Sequence, residues 1–312
     1  MPQSTQRNTV LLAIGFVLLW NSGFVGAEYG LDYTGVFTLL WWRYALLTIV
    51  LLIYLAARGG LYWPGPRAAS LTAVVGIFAH GVWLSSVMLS LVIGIPAGIV
   101  ALVVALQPMT VGALSGRVTG EPTSARSWIG LVVGFTGVLI AVLGRARLEE
   151  APSLLPYLVP FGAVVAFTIA SLLQRWIDLY SPPDHLPVPL TLFYQCLATA
   201  LVAAVPALAL EGMATRWTPE FSAVLGWLIF AVSLTAYAFM WHLIERMDAT
   251  RVASLFYLGP PVTMLMAWIV LGDTLQTTDL VGLAVTAAGV LLVHEADHLR
   301  LHRRTRQSRG VE

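Results

Sequence analysis

Residues 96–108 read PAGIVALVVALQP, and residues 249–261 read ATRVASLFYLGPP. These two apolar stretches align with each other, and the final Pro108 of the first falls on Pro261 of the second. After a gap of one residue the match continues through three more pairs: Glu121 with Asp273, Gly130 with Gly282, and Gly137 with Gly289. The sequence therefore predicts two copies of one structural unit, with a boundary near residue 150.

The composition indicates that lipid is the main solvent of this chain. Of its 312 residues, 58% are hydrophobic and 11% are charged, and the mean hydropathy is +0.82. Soluble globular proteins carry about 25% charged residues, so a soluble enzyme and a disordered chain are both excluded. The net charge of +1 gives no case for nucleic-acid binding. A single cysteine, Cys196, excludes an internal disulfide and a cysteine-rich metal site. We expect neither a metal nor a cofactor.

Ten runs are long and apolar enough to be membrane-spanning helices, which need about 20 residues each. The runs are 9–27, 35–57, 70–90, 95–116, 128–144, 154–174, 187–210, 221–244, 250–271 and 279–294. Connectors rich in proline and glycine separate them, and most are short. The sequence predicts an all-α membrane protein of ten transmembrane helices, without a sizeable soluble domain.

The repeat and the helix count together predict the topology. Five runs fall in each half, and because five is odd, the second half must start from the opposite side of the membrane. We therefore expect residues 1–150 to form one five-helix repeat, residues 151–298 a second, inverted repeat, and residues 299–312 a basic cytoplasmic tail. Inverted repeats are typical of secondary transporters, which bind substrate between the two halves near the middle of the membrane.

The basic residues predict the orientation. All 17 are arginines, and with the N-terminus in the cytoplasm most of those in connectors lie on the cytoplasmic side. The even number of helices then places the C-terminus in the cytoplasm too. We expect a multi-pass protein of the cell inner membrane.

The same motifs resemble a known family. The pattern P-x(12)-E-x(8)-G-x(6)-G begins at Pro108, and P-x(11)-D-x(8)-G-x(6)-G begins at Pro261. Together with Trp20-Asn21-Ser22-Gly23 and Arg43-Tyr44, these patterns are similar to the paired EamA domains of the drug/metabolite transporter superfamily. The resemblance covers nearly the whole chain and implies a transporter. The aromatic residues in the runs are similar to those of the YddG-type branch of aromatic amino-acid exporters.

His80 is the first candidate for the substrate site, because polar groups at membrane depth are costly and mark functional positions. Gly76, His80 and Trp83 share one helix face by their spacing. An imidazole and an indole on that face could line a polar cavity. The alternative is a histidine that bonds a neighbouring carbonyl for packing.

Paired proline breaks give further candidates. Pro108 in the fourth run and Pro260 and Pro261 in the ninth each remove a backbone hydrogen bond. Such breaks in corresponding positions of two repeats point to a transporter's binding site. We expect the prolines to act as hinges, and the polar side chains beside them to bind substrate: Gln107, Ser254 and Tyr257. Kinks without ligand contact remain the alternative.

Aromatic residues deep in the runs complete the set. Trp20, Phe167 and Tyr237 could stack on a ring or hold an ammonium group by a cation–π contact, although core packing is equally compatible with their positions.

Arg43 lies deep in the second run. It could serve as a structural anchor or bind a substrate carboxylate, and the family resemblance implies the structural role.

These observations predict an exporter of amino acids with aromatic or large apolar side chains, working as a monomer by alternating access. Every acidic residue lies in a connector, a tail or near the end of a run. Because proton-coupled transporters use intramembrane carboxylates, we expect facilitated diffusion. Two alternatives stay open. One is a broad-specificity exporter of drugs or cations, and the other is a membrane-embedded enzyme or lipid-handling protein.

Overall fold

A computed structural model describes residues 3–95, 97–145, 155–181, 184–247, 249–271 and 276–308. Asp273, the counterpart of Glu121 in the repeat, and the last four residues of the basic tail lie outside these ranges. The secondary-structure elements in the described ranges are helices. These ranges also contain one isolated β-bridge, between Thr34 and Thr215.

The α-helices follow one another with short connections. They are α1 (Gln3–Leu31), α2 (Val36–Ala57), α3 (Pro66–Gly76), α4 (Trp83–Val92), α5 (Ala97–Val104), α6 (Gln107–Val118), α7 (Ala125–Arg145), α8 (Val159–Tyr180), α9 (Val188–Glu211), α10 (Pro219–Trp227), α11 (Tyr237–Arg246), α12 (Ala249–Ser254), α13 (Gly259–Leu271) and α14 (Thr277–Ser308). A 3-10 turn, Leu155–Leu158, leads into α8.

Eight continuous helices in the described ranges are long and apolar enough to cross a membrane. They are Asn8–Leu31, Val36–Ala57, Pro66–Val92, Ala125–Leu143, Pro156–Tyr180, Val188–Glu211, Pro219–Arg246 and Thr277–His294. Each overlaps one of the predicted runs. The two remaining predicted runs are helical but interrupted, so each consists of two shorter helices.

Both interruptions occur beside the paired prolines. The first helix of one pair ends at Val104, and α6 begins at Gln107 with Pro108 in its first turn. In the other pair, a 3-10 turn over Leu255–Leu258 separates α12 from α13, whose first turn contains Pro260 and Pro261. A proline fits the first turn of a helix because its missing N–H would have no partner there. Whether these breaks are hinges remains a prediction.

Two stretches of π-helix were not predicted. Ile77–Val82 joins α3 to α4, and Leu228–Ala236 joins α10 to α11. The spacing between Pro108 and Pro261 also brings these two stretches into register, so each repeat carries one at the same place. A π-helix widens the turn by one residue and is frequent at functional sites. Here the two stretches contain His80 and Ser233.

Helix packing joins the two halves of the chain. The most extensive contacts are those of α7 with α14 and of α2 with α9. In addition, α1 packs on α10, α11 and α13, while α8 packs on α3, α4, α5 and α6. Every one of these contacts links a helix from before residue 150 with one from after it.

Glycines set the distance between α7 and α14. A Cβ atom added to Gly130 would lie 2.7 Å from the carbonyl oxygen of Gly289, and one added to Gly137 would lie 2.8 Å from that of Gly282. Each glycine of α7 therefore faces the repeat counterpart of the other one: Gly130 faces Gly289, and Gly137 faces Gly282. Small residues permit such close helix packing in membranes.

Replacing Gly137 should destabilise the protein. In Gly137→Leu the new side chain would collide with backbone atoms of Gly282 and Thr286, and we expect a loss of about 1–3 kcal/mol of stability. Gly226→Leu is the matched control, since a Cβ at Gly226 meets no atom within 4 Å. Thermal unfolding in detergent measures both. Equal melting temperatures for the two variants would contradict the close packing of α7 on α14.

Candidate functional site

A cluster of aromatic rings lies at the centre of the bundle, around Trp20 of α1. The distances between its ring centroid and those of Tyr237, Phe256 and Trp83 are 4.8, 5.1 and 5.3 Å. Phe167 of α8 lies 5.9 Å from Trp20 and 5.5 Å from Trp83. Several pairs are edge-to-face, the arrangement that ring quadrupoles favour. Helices from both halves therefore contribute to one aromatic surface.

A polar network borders this cluster. Gln195 of α9 is fully buried, and its Oε1 accepts a hydrogen bond of 3.0 Å from the indole N–H of Trp241. The Nε2 atom of His80 lies 3.1 Å from the same oxygen. An indole nitrogen can only donate, so the contact with Trp241 fixes the orientation of the amide. His80 must therefore donate from Nε2, which leaves its Nδ1 as a buried atom without a partner.

The network continues from His80 to Tyr237. Their ring centroids are 4.1 Å apart, and the Tyr237 hydroxyl donates to the carbonyl oxygen of Ala79 over 3.2 Å. Gly76 explains how His80 reaches Gln195: a Cβ at Gly76 would lie 2.6 Å from the Cβ of Gln195. Only a glycine lets α3 approach α9 this closely. The sequence prediction that Gly76 opens the face carrying His80 agrees with this contact.

Arg43 of α2 is a further polar residue beside the cluster, and it is 3% exposed. Its Nε donates to the hydroxyl of Ser233 over 2.5 Å, and its guanidinium carbon lies 5.4 Å from the ring centroid of Tyr44. Under the repeat His80 corresponds to Ser233, and Arg43 corresponds to the residue next to Gln195. The contact of Arg43 with Ser233 is thus the counterpart of the contact of Gln195 with His80.

A second pair of matched contacts ties the interrupted helices to the cluster. Thr263 of α13 donates to the side-chain oxygen of Asn21 over 3.3 Å, and the hydroxyls of Thr110 and Thr168 are 2.7 Å apart. Asn21 and Thr168 directly follow the cluster residues Trp20 and Phe167. Movement of α6 or α13 would therefore displace residues that adjoin the aromatic cluster.

A small cavity lies against the cluster. Its walls are Trp20, Gly23, Phe24, Arg43, Trp83, Leu84, Val232 and Tyr237. The volume of about 20 Å³ is room for little more than one water molecule. The aromatic side chains thus close upon one another in this structure, and they must separate before a molecule of amino-acid size can enter.

The structure brings five of the predicted site residues together: Trp20, His80, Trp83, Phe167 and Tyr237. Three others lie elsewhere. Gln107 is fully buried without a partner for its amide, Ser254 donates to the carbonyl oxygen of Arg251 over 2.8 Å, and the Tyr257 ring packs at Gly134 of α7. Of the eight predicted residues, Trp20, Trp83 and Tyr237 line the cavity, and the other five do not. Substrate contact stays a prediction for all eight.

Sequence reasoning missed Gln195, Tyr44 and Phe256. Gln195 carried a usable signal, since an amide in the middle of an apolar run needs a partner. In the described part of the chain, no three His, Cys, Asp or Glu side chains lie close enough together to hold a metal ion.

The shared acceptor predicts an unequal effect of two substitutions on stability. Gln195→Met leaves the buried donors of His80 and Trp241 without a partner, which should cost about 1–3 kcal/mol for each donor. His80→Phe keeps a ring beside Tyr237 and leaves Gln195 bonded to Trp241, so it should cost less. Thermal unfolding in detergent ranks the two variants. A more stable Gln195→Met would contradict the role of Gln195 as the common acceptor.

Comparisons with known proteins agree with this fold. A protein of Salmonella typhimurium named as a probable amino-acid metabolite efflux pump is 24% identical over 92% of this chain and 94% of its own. The inner membrane transporter YedA of Escherichia coli is 25% identical over 88% of this chain and 87% of its own. A probable terminal-alkyne amino-acid exporter of Streptantibioticus cattleyicolor is 26% identical over 89% and 90%.

One solved crystal structure shares the fold. It superposes with a TM-score of 0.76 at 20% identity and covers 92% of this chain and 96% of the other. The three sequence relatives are named as a transporter, an exporter and an efflux pump rather than as enzymes. The family model for EamA-like transporters matches twice, over residues 7–143 and 154–294. This chain is therefore a membrane transporter, and it belongs to the EamA-like transporter family.

Proposed function

We propose that this protein exports amino acids with aromatic or large apolar side chains across the cell inner membrane. The observation that carries the proposal is the central aromatic cluster around Trp20, bordered by the polar network of His80, Gln195 and Trp241. Aromatic rings can stack on an apolar or aromatic side chain and hold an ammonium group, while polar side chains can bind the charged end of an amino acid.

The names of three relatives support the same reading. Two are named for amino-acid or amino-acid metabolite export, and a third is named an inner membrane transporter. The broad-specificity drug exporter considered from sequence would be favoured by an apolar cavity with His80 facing lipid. His80 instead is 1% exposed and bonded to Gln195, which favours the amino-acid reading.

The proposed architecture is ten membrane-spanning helices in two inverted five-helix repeats, residues 1–150 and 151–298. Matched features in the two halves support it: the paired π-helices, the paired interruptions beside the prolines, and the facing glycines of α7 and α14. The reciprocal contacts of α1 with α13 and of α8 with α6 are a further pair. In this proposal the protein works as a monomer.

Alternating access requires contacts that close each end of the bundle and can be broken. At one end, Arg175 donates to both carboxylate oxygens of Glu121, at 2.6 and 2.9 Å, and to the carbonyl oxygen of Ile244 at 2.9 Å. At the other end, the carboxylate of Glu211 accepts from the backbone N–H of Phe37 at 3.0 Å and of Thr38 at 2.7 Å. A carboxylate at a helix N-terminus is favourable there.

The distribution of acids supports facilitated diffusion. Within the described ranges, two acidic side chains are buried, those of Asp279 and Asp178. Asp279 lies in the first turn of α14 and accepts from the backbone N–H of Gln276, while Asp178 lies in the last turn of α8 and accepts from Gln174. The central cluster thus contains no carboxylate from these residues to carry a proton.

Reconstituted protein should therefore release labelled tryptophan down its gradient at a rate that an imposed pH gradient does not change. A cationic dye should not be released from the same vesicles, because the site is built for an amino acid. Tryptophan accumulation above the external concentration, driven by the pH gradient, would contradict facilitated diffusion. Release of the dye but not of tryptophan would contradict the proposed substrate class.

The proposed orientation places both termini in the cytoplasm, since the arginine-rich connectors and tail favour that side. A tag at either end should be cut by protease only after the inner membrane is permeabilised. The matched control is a tag inserted between Thr215 and Trp217, in the connection before α10, which should be cut in intact spheroplasts. A C-terminal tag that is cut without permeabilisation would contradict the inverted repeat.

A further inference from the structure

Arg43 is a buried charge without a counter-ion among the residues that the structure describes. It is 3% exposed and lies in α2, and within the same residues its one hydrogen bond goes from Nε to the neutral hydroxyl of Ser233. The ring of Tyr44 adds a cation–π contact. Within the described ranges no carboxylate lies within ion-pair distance of its guanidinium. An uncompensated charge at this depth is costly, so the site is incomplete unless an anion enters it.

Trp83 presents a second unused donor at the same place. Its side chain is 2% exposed, and its indole Nε1 is buried without a hydrogen-bond partner. Trp83 and Arg43 both line the cavity of about 20 Å³ beside the aromatic cluster. A buried donor without an acceptor costs free energy. Arg43 and Trp83 therefore line the same small cavity with aromatic walls, and an acceptor group on the transported molecule would satisfy both donors.

We infer that Arg43 and Trp83 form the binding site for a carboxylate of the transported molecule, an inference that rests on the proposed export of amino acids. Guanidinium groups bind carboxylates through parallel hydrogen bonds, and with Nε bonded to Ser233 the two terminal nitrogens of Arg43 remain for the ligand. The indole N–H of Trp83 supplies another donor. The rings of Trp20, Phe24 and Tyr237 complete the walls for the apolar part of the cargo.

This assignment makes a negative charge a requirement for transport. A molecule with the same ring but an amide in place of the carboxylate would leave Arg43 without its counter-ion. Specificity of this kind is strong because the rejected molecule leaves buried polar groups unpaired. The site would therefore exclude organic cations and neutral drugs. The bond from Arg43 to Ser233 then has a second consequence, since it holds the guanidinium in place for the ligand.

Three probes with one phenyl ring test the inference: L-phenylalanine, L-phenylalaninamide and 3-phenylpropionate. Stabilisation of the purified protein against thermal unfolding measures binding of each probe, and counterflow in proteoliposomes measures transport. Wild-type protein should bind phenylalanine and 3-phenylpropionate at concentrations at least tenfold below that required for phenylalaninamide. This factor corresponds to one lost hydrogen bond to a charged group.

Three variants separate ligand binding from a structural role. Arg43→Gln should abolish the preference for the two carboxylates over the amide, and Arg43→Lys should restore part of it. Trp83→Phe keeps an aromatic ring and should weaken binding of the carboxylates about tenfold, and binding of phenylalaninamide by less, because its neutral carbonyl oxygen is a weaker acceptor than a carboxylate. Trp63→Phe is the matched control, because Trp63 is 67% exposed and far from the cavity walls.

The possible outcomes separate the carboxylate site from the proposed export of amino acids. Equal binding of phenylalanine and phenylalaninamide by wild-type protein would overturn the carboxylate site and leave amino-acid export standing. Binding and transport of 3-phenylpropionate without phenylalanine would support the site but contradict amino-acid export. Absence of any response to the two carboxylates would overturn the site. Arg43→Gln protein that unfolds at lower temperature yet keeps the preference would assign Arg43 a purely structural role.

Discussion

A polar side chain in the middle of a membrane-spanning helix costs free energy unless another polar group meets it. In this protein such polar contacts form between the two halves of the chain. Each of the following contacts joins a residue before position 150 to one after it: Arg43 with Ser233, His80 with Gln195, Tyr237 with Ala79, Asn21 with Thr263, and Thr110 with Thr168. The central polar groups therefore hold the halves together.

The same constraint supports the proposed position of the substrate site. A transporter must open and close between its halves, so the groups that join them are also the groups that a substrate can reach. The aromatic cluster lies beside these polar contacts, and its cavity is too small for an amino acid in this structure. Substrate entry must then break contacts between the halves, and contacts with the bound substrate must replace them. The proposed carboxylate site at Arg43 and Trp83 would supply part of that replacement, since the Trp83 indole nitrogen has no hydrogen-bond partner within the described residues.

Patterns that follow from chain periodicity could be predicted from the sequence. Apolar length predicted the helices, and proline positions predicted the interruptions before α6 and α13. His80 was found because polar groups at membrane depth mark functional positions, and Trp20 because it is an aromatic residue deep in the first run. Gln195 was not, since its partners depend on how closely α3 approaches α9 at Gly76. The π-helices have no sequence signal that we could use, and they shift the register of the helices that carry His80 and Ser233.

Protection of the cavity by substrate tests the central claim, that transported amino acids bind between the halves. With the native Cys196 replaced by serine, a cysteine at Leu84 would lie in the cavity wall, whereas one at Ile53, 63% exposed, would lie on the outer surface of α2. Reaction with a maleimide is followed in membranes with and without tryptophan. The account predicts that saturating tryptophan slows labelling at position 84 and leaves position 53 unchanged. Labelling at position 84 that is indifferent to tryptophan would contradict it.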